Sequence, residues 1–124
     1  MFQFRVDGTP VSQGSMKVIN GYAIHSAGAA LAVWRSTIAL TAKLNEAKIF
    51  EGPVHVTLDF ELKKPRTVKR EYPTVPPDLD KLIRAVLDAL TGQFWHDDSQ
   101  VVSINSTKRY SENPGVTIGV SPIA

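Results

Sequence analysis

The stretch from Val54 to Leu62 alternates strictly between apolar and polar residues, and it constrains the fold more firmly than any other part of the sequence. Its apolar members are Val54, Val56, Leu58, Phe60 and Leu62. A period of two places them on one side of a β-strand, so the pattern predicts a strand with one core face and one polar face. A buried face needs a second layer of structure to cover it.

Two further segments have helical patterns. Ser26 is placed to cap a long, alanine-rich helix from about Ala27 to Lys48. Gly52 and Pro53 then break the helical pattern. A second, amphipathic helix begins at about Leu79. Its apolar stripe consists of Leu82, Ile83, Val86, Leu87 and Leu90.

Four shorter patterns predict strands. Phe2, Phe4 and Val6 alternate with polar residues, and Asn20-Gly21 forms the predicted turn of a short hairpin. Strands are also expected from about Gln100 to Tyr110 and from Val116 to Val120. With two helices between strands, we predict an α+β fold of the α/β layer type, in which a mixed sheet carries both helices mainly on one face.

The length of 124 residues fits a single domain, 1–124. No apolar run approaches the roughly 20 residues that a membrane helix needs, and the N-terminus does not resemble a signal peptide, so a cytoplasmic protein is expected. The chain has no cysteine, which excludes disulfides and thiolate metal sites. A metal ion would therefore be held by oxygen or histidine ligands.

The segment from Lys63 to Pro77 combines four prolines with a run of cations, which predicts an exposed loop. Five cations fall within eight residues, namely Lys63, Lys64, Arg66, Lys69 and Arg70. The net charge of +2 is modest, but this cluster is suited to the phosphate backbone of DNA. Lys108 and Arg109, at the end of a strand, are predicted to extend the surface. The alternative is a solvated linker.

Asp78 and Asp80 lie on either side of Leu79 at the start of the second helix. An aspartate there is often only a helix cap. Two adjacent carboxylates repel each other, however, and a bound divalent cation relieves the repulsion. Mg²⁺ is typically held by a few carboxylate oxygens, which suits this pair together with acids from elsewhere in the chain.

Asp97 and Asp98 are the candidates for completing the metal site, provided that the fold brings them back to the start of the second helix. Their alternative role is a solvated turn before a strand. Arg84 lies one turn beyond Asp80 and could bind the phosphate that is cut, or simply form ion pairs with Asp80 and Asp88. Lys81 lies close by, and Trp34 and Trp95 are predicted core or interface residues.

The run PPDLDKLIRAVLDALTGQFWHDDSQVV resembles the signature of the RusA family of Holliday junction resolvases, with its D-x-D-N-L-x-K, D-A-L and D-D-x-Q-V elements. The resemblance implies a homodimeric endonuclease, dependent on Mg²⁺ or Mn²⁺, that makes paired cuts in four-way DNA junctions and is typically encoded by phages or prophages. By position, the essential acids of the family correspond to Asp78, Asp80 and Asp98, with Asp97 as a neighbour that could share the metal. Arg84 occupies the family's lysine position and Lys81 its asparagine position.

The resulting hypothesis is a metal-dependent hydrolase in which Asp78, Asp80 and Asp98 hold the ion and Arg84 contacts the phosphate. The cations of the loop, together with Lys81, Lys108 and Arg109, would bind the DNA. Two alternatives remain at this point. One is a branched-DNA-binding protein without catalysis, and the other is a nuclease for forks or flaps.

Overall fold

A four-stranded mixed sheet forms the centre of the molecule in the computed structural model, which describes residues 1–14, 16–19, 22–25 and 28–124. In chain order the elements are β1 (Phe2–Asp7), β2 (Met16–Ile19), β3 (Tyr22–His25), α1 (Gly28–Leu44), β4 (Val54–Leu62), α2 (Leu79–Leu90), a 3₁₀ turn (Asp98–Gln100), β5 (Val101–Tyr110) and β6 (Gly115–Pro122). The strand order is β1-β6-β4-β5, and β2 pairs separately with β3. These bounds agree closely with the predicted strands.

β4 has a partner on each side, antiparallel β6 and parallel β5. This pairing makes the sheet mixed, as predicted. The apolar positions of the alternating stretch are all buried, and Val116, Ile118 and Val120 of β6 pair with them. Paired residues share a face of the sheet, so one face is apolar throughout its centre.

Both helices contribute to the same core as that apolar face. Leu31, Trp34, Ile38 and Ala42 of α1 are buried, and so are five residues of α2: Leu82, Ala85, Val86, Ala89 and Leu90. The apolar residues that recur at helical spacing in the sequence are therefore the ones that the helices bury in the core. The α+β prediction, with a mixed sheet and two helices, is confirmed.

Helix α1 is one turn shorter than predicted, because it ends at Leu44 and not at Lys48. Glu46 has a φ of 61°, a left-handed conformation that stops the helix. Its N–H donates to the carbonyl of Lys43, and the N–H of Ala47 donates to that of Ala42, each at 3.0 Å. This is a Schellman turn formed without the glycine that usually marks it in a sequence.

Some sequence predictions for the N-terminal third lie outside the described residues. They are the Ser26 cap and the turn conformation at Asn20-Gly21, although Ile19 and Tyr22 do pair as a hairpin requires. Trp34 and Trp95 are 4% and 0% exposed, so the prediction that they are core residues is confirmed. None of the helices in the described ranges has the length and apolarity needed to cross a bilayer.

Candidate active site

The segment between β4 and α2 is a loop without regular structure, as its prolines predict. It ends at a cis peptide bond between Pro76 and Pro77. The ammonium group of Lys108, on β5, donates hydrogen bonds of 2.9 Å to the backbone carbonyls of Val75 and Pro77. These contacts fasten the end of the loop to the sheet immediately before Asp78.

Asp78 is the N-cap residue of α2, but its carboxylate forms no capping hydrogen bond. The side chain is 54% exposed, and its nearest cation is the ammonium of Lys81 at 3.8 Å. Asp80 lies in the first turn and is also exposed, while Leu79 between them packs against the core. The carboxylate of Asp78 therefore does not act as a structural cap. Both acids face solvent beside the positive end of the helix.

Asp97 and Asp98 lie in the loop that follows the other end of α2. Asp97 caps the 3₁₀ turn, where its carboxylate accepts a 2.9 Å hydrogen bond from the Ser99 N–H. That backbone N–H holds the pKa of Asp97 below its usual value, so the side chain stays ionised. Asp98 is the first residue of the turn and is exposed.

Gln100 fixes the position of this acidic loop. Its side-chain amide nitrogen donates to the carbonyls of Phe50 and Gly52, at 2.7 and 2.9 Å, and its amide oxygen accepts from the N–H of His96 at 2.8 Å. In the sequence, Gln100 stands out only as part of the D-D-x-Q-V element, which predicts no role for it. Its place two residues after Asp98 was the available signal.

A depression of about 400 Å³ collects the acids at this end of α2. It is lined by Arg35, Asp88, Thr91, His96, Asp97 and Asp98. Arg35 comes from α1 and places a cation among three carboxylates, a neighbour that sequence reasoning did not identify. Nothing in the local sequence around Arg35 distinguishes it from an ordinary surface residue of a helix.

The candidate acids of one chain therefore fall into two groups at opposite ends of α2. Asp78 and Asp80 lie at its start, and Asp97 and Asp98 lie with Asp88 near its end. A helix of 12 residues is about 18 Å long, since each residue adds about 1.5 Å. Across the described ranges, no three histidine, aspartate or glutamate side chains are close enough to hold a metal ion together. The condition that Asp98 return to the start of the helix is not met within one chain.

Arg84 is exposed on the polar side of α2, one turn from Asp80 and one turn from Asp88. No ion pair within 4 Å joins it to either acid among the residues described. Its guanidinium, which is permanently charged, is therefore available to an external anion between the two groups of acids.

The cations of the basic loop are exposed, and in the described part of the chain none of them has an acidic partner within 4 Å. They are Lys63, Lys64, Arg66, Lys69 and Arg70. Lys108 and Arg109 differ from them. Lys108 donates to two carbonyls, and Arg109 pairs with Asp59 and Glu61 at 3.2 and 3.3 Å. Both residues predicted to bind DNA are thus engaged within the fold.

The ligands available to a metal ion are carboxylate oxygens, because the chain has no cysteine and Asp78 and Asp80 have no histidine neighbour in sequence. Such hard, anionic donors suit Mg²⁺ or Mn²⁺ far better than zinc. Two exposed carboxylates also match the habit of Mg²⁺ of retaining several water ligands. The residues present therefore fit the ion, with further ligands to come from outside this pair.

The fold and this site define a small α+β protein in which two exposed acids follow a basic loop. A family model for the endodeoxyribonuclease RusA matches residues 7–121, nearly the whole chain. The chain belongs to the RusA endodeoxyribonuclease family, whose members are Holliday junction resolvases acting on branched DNA. It is also 31% identical to YqaN of Bacillus subtilis (strain 168), a protein described as uncharacterized, over 137 aligned residues that cover 98% of this chain and 96% of the relative.

Proposed function

We propose that this chain resolves Holliday junctions by metal-dependent, paired hydrolysis of phosphodiester bonds, as a homodimer that serves DNA recombination and repair. Mg²⁺ is the expected cofactor and Mn²⁺ an expected substitute. The observation that carries the proposal is the family match over residues 7–121, combined with two exposed carboxylates at the start of α2, of which Asp78 forms no capping hydrogen bond. We expect the protein to act in the cytoplasm of a bacterial or phage-infected cell.

Asp78, Asp80 and Asp98 would hold the ion, and Asp97 could share it. An ion held by these residues would supply positive charge that activates water and neutralises charge on the phosphate. Asp78 and Asp80 are suited to this role because both carboxylates are exposed and the loop before them is fastened to β5. Asp97 is already engaged by Ser99, which makes Asp98 the more available of the two acids.

Arg84 would bind the phosphate that is cut. Its position between the two acidic groups, without a partner among the described residues, supports this role. Arginine stays protonated at any physiological pH, so it stabilises charge on the phosphate and does not deliver a proton. The loop cations, with Lys81, would hold the flanking backbone of the junction.

A second copy of the chain offers a way to unite the two acidic groups. In a dimer with a two-fold axis, any contact made in one direction is repeated in the other. If the end of α2 in one copy lies against its start in the other, Asp98 of each chain meets Asp78 and Asp80 of its mate, and two equivalent sites result. Two symmetric sites are also what paired cuts in opposing strands of a junction require.

Cleavage of a synthetic four-way junction tests the proposal, with a linear duplex, a fork and a flap as comparison substrates. We expect paired cuts in the junction with Mg²⁺, no cuts with EDTA, and no cuts by Asp80→Asn. Glu46→Gln removes an exposed acid that belongs to neither acidic group and should cut like the wild-type protein.

The two alternatives predict different results in that assay. A branched-DNA-binding protein without catalysis would bind the junction tightly but cut none of the substrates with Mg²⁺ or Mn²⁺. A fork or flap nuclease would cut those substrates faster than the junction. Either result would contradict the proposed activity.

A further inference from the structure

A second depression lies where the basic loop meets the end of β5, and it is larger than the acidic one. Its volume is about 690 Å³, within the range of small-molecule sites in proteins. It is lined by loop residues between Lys63 and Val68 and by Tyr110, Ser111 and Glu112 at the end of β5. None of them belongs to the two groups of candidate catalytic acids.

The charge of this depression is positive. Lys63, Lys64 and Arg66 line it against one acid, Glu112, and in the described ranges no carboxylate lies within 4 Å of any of the three cations. Three unneutralised cations around an opening favour an anionic ligand. Pro65, Val68 and Tyr110 add an apolar part to the lining.

Tyr110 is the last residue of β5, and its ring is half-buried in this depression. The ammonium of Lys64 lies 5.6 Å from the ring centroid, and the guanidinium carbon of Arg70 lies 5.9 Å from it. Tyr110 pairs with Leu62 of β4, and the N–H of Ser111 donates to the carbonyl of Leu62 at 2.9 Å. The ring is therefore held by the sheet, while the cations beside it are on exposed side chains.

We propose that this depression binds one unstacked nucleotide of the DNA substrate, with the base against the ring of Tyr110 and its phosphate among Lys63, Lys64 and Arg66. An aromatic face beside backbone-binding cations is the combination with which proteins hold single-stranded nucleic acid. In a regular duplex, stacking on both sides makes the base face inaccessible. The inference rests on the proposed function in one respect, namely that DNA is the substrate.

Binding to short oligonucleotides tests this inference in EDTA, where no cleavage can occur. The probes are a fluorescent oligodeoxythymidine and a duplex of equal length, measured by anisotropy. Tyr110→Ala should weaken binding of the oligodeoxythymidine by about tenfold and leave duplex binding within about twofold, since stacking on an aromatic ring acts only on unpaired bases. Tyr110→Phe, which retains the ring, should bind both probes like the wild-type protein.

Lys64→Gln provides a second measurement that does not touch the core of the sheet. This variant should weaken binding of the oligodeoxythymidine. It should also lower the slope of log affinity against log salt by about one, as expected for the loss of one phosphate contact. Thermal melting of each variant verifies that the fold is retained.

The inference is overturned if Tyr110→Ala retains the fold but weakens binding of both probes equally, or weakens binding of neither. It is also overturned if an acidic peptide competes for the depression as well as the oligonucleotide does. Cleavage of junctions by the wild-type protein would still stand in these cases. Conversely, a chain that cuts no junction but shows the expected effect of Tyr110→Ala would retain the nucleotide site and lose the proposed activity.

Discussion

The ammonium nitrogen of Lys108 lies 2.9 Å from the backbone carbonyl oxygen of Pro77, the residue immediately before Asp78. The same nitrogen donates to the carbonyl of Val75, and Lys108 itself is paired with Phe60 of β4. These hydrogen bonds attach the end of the loop before the first candidate metal ligand to β5. Lys108 is thus placed to position Asp78, although its sequence context suggested contact with DNA.

Lys108→Met should lower the rate of junction cleavage at saturating protein by about tenfold, since small displacements of a catalytic group are costly. The affinity for the junction and its salt dependence should change little, because the ammonium is occupied within the fold. Lys43→Met, on the exposed side of α1, is the matched control. If Lys108 binds phosphate instead, the salt slope will fall by about one and the rate at saturation will be unchanged.

Gln100→Ala should lower the free energy of unfolding by about 1–2 kcal/mol, because it removes hydrogen bonds to backbone groups of Phe50, Gly52 and His96. The loss is moderate because these groups can form hydrogen bonds with water instead. Urea denaturation measures the change. Gln93→Ala, in the preceding turn, should change stability by less than about 0.5 kcal/mol. The same stability for Gln100→Ala and the wild-type protein would show that the acidic loop is held in some other way.

Glu46→Gly should raise the free energy of unfolding by about 1 kcal/mol, because glycine adopts the left-handed conformation of the Schellman turn without steric cost. Glu46→Ala keeps the Cβ atom and should not stabilise the chain. Thermal melting of the three proteins distinguishes these results. Equal gains from glycine and alanine would mean that the glutamate charge, and not the backbone conformation, is the unfavourable feature.

Glu61 is a nearly buried carboxylate on the polar side of β4, where its side chain is 10% exposed. The hydroxyl of Ser111 lowers its pKa most, and Arg5 and Arg109 lower it further. A group whose pKa is lowered by folding stabilises the protein above its unfolded pKa of about 4.3. That stabilisation is lost as the pH falls through the lower, folded value.

The free energy of unfolding should therefore fall more steeply below about pH 4.3 in the wild-type protein than in Glu61→Gln. Some dependence should persist in the variant, since the pKa of Asp97 is lowered as well. Glu71→Gln, an exposed acid of the loop, is the control, and denaturation at a series of pH values is the measurement. Parallel curves for Glu61→Gln and the wild-type protein would refute the assignment.

The sequence predicted the sheet and both helices well because burial imposes a period on each of them. The alternation in β4 and the stripe of α2 are direct records of which residues face the core. The end of α1 was missed because its turn uses Glu46, whose left-handed backbone leaves no mark in composition. Such a turn is decided by the path of the chain towards β4, which no local pattern encodes.

The site was predicted less completely than the fold, and the reason is the distance between its parts along α2. The sequence identified Asp78, Asp80 and Asp98 as candidate ligands. Spacing along a chain does not show, however, that Asp98 lies near the opposite end of α2 from the other two. It also could not show that Gln100 binds two carbonyls near β4, or that Arg35 joins the acids from another helix. These are contacts between distant segments.

Restoration of cleavage by two inactive variants tests most directly whether acids from the two ends of α2 act together. Asp80→Asn and Asp98→Asn, carrying different tags, are co-expressed, and the mixed dimer is purified through both tags. If Asp98 of one chain serves Asp78 and Asp80 of the other, one of the two sites in the mixed dimer retains all three acids. We predict that each variant alone is inactive and that the mixed dimer nicks one strand of a four-way junction with Mg²⁺. A mixed dimer that binds the junction and cuts neither strand would contradict the account.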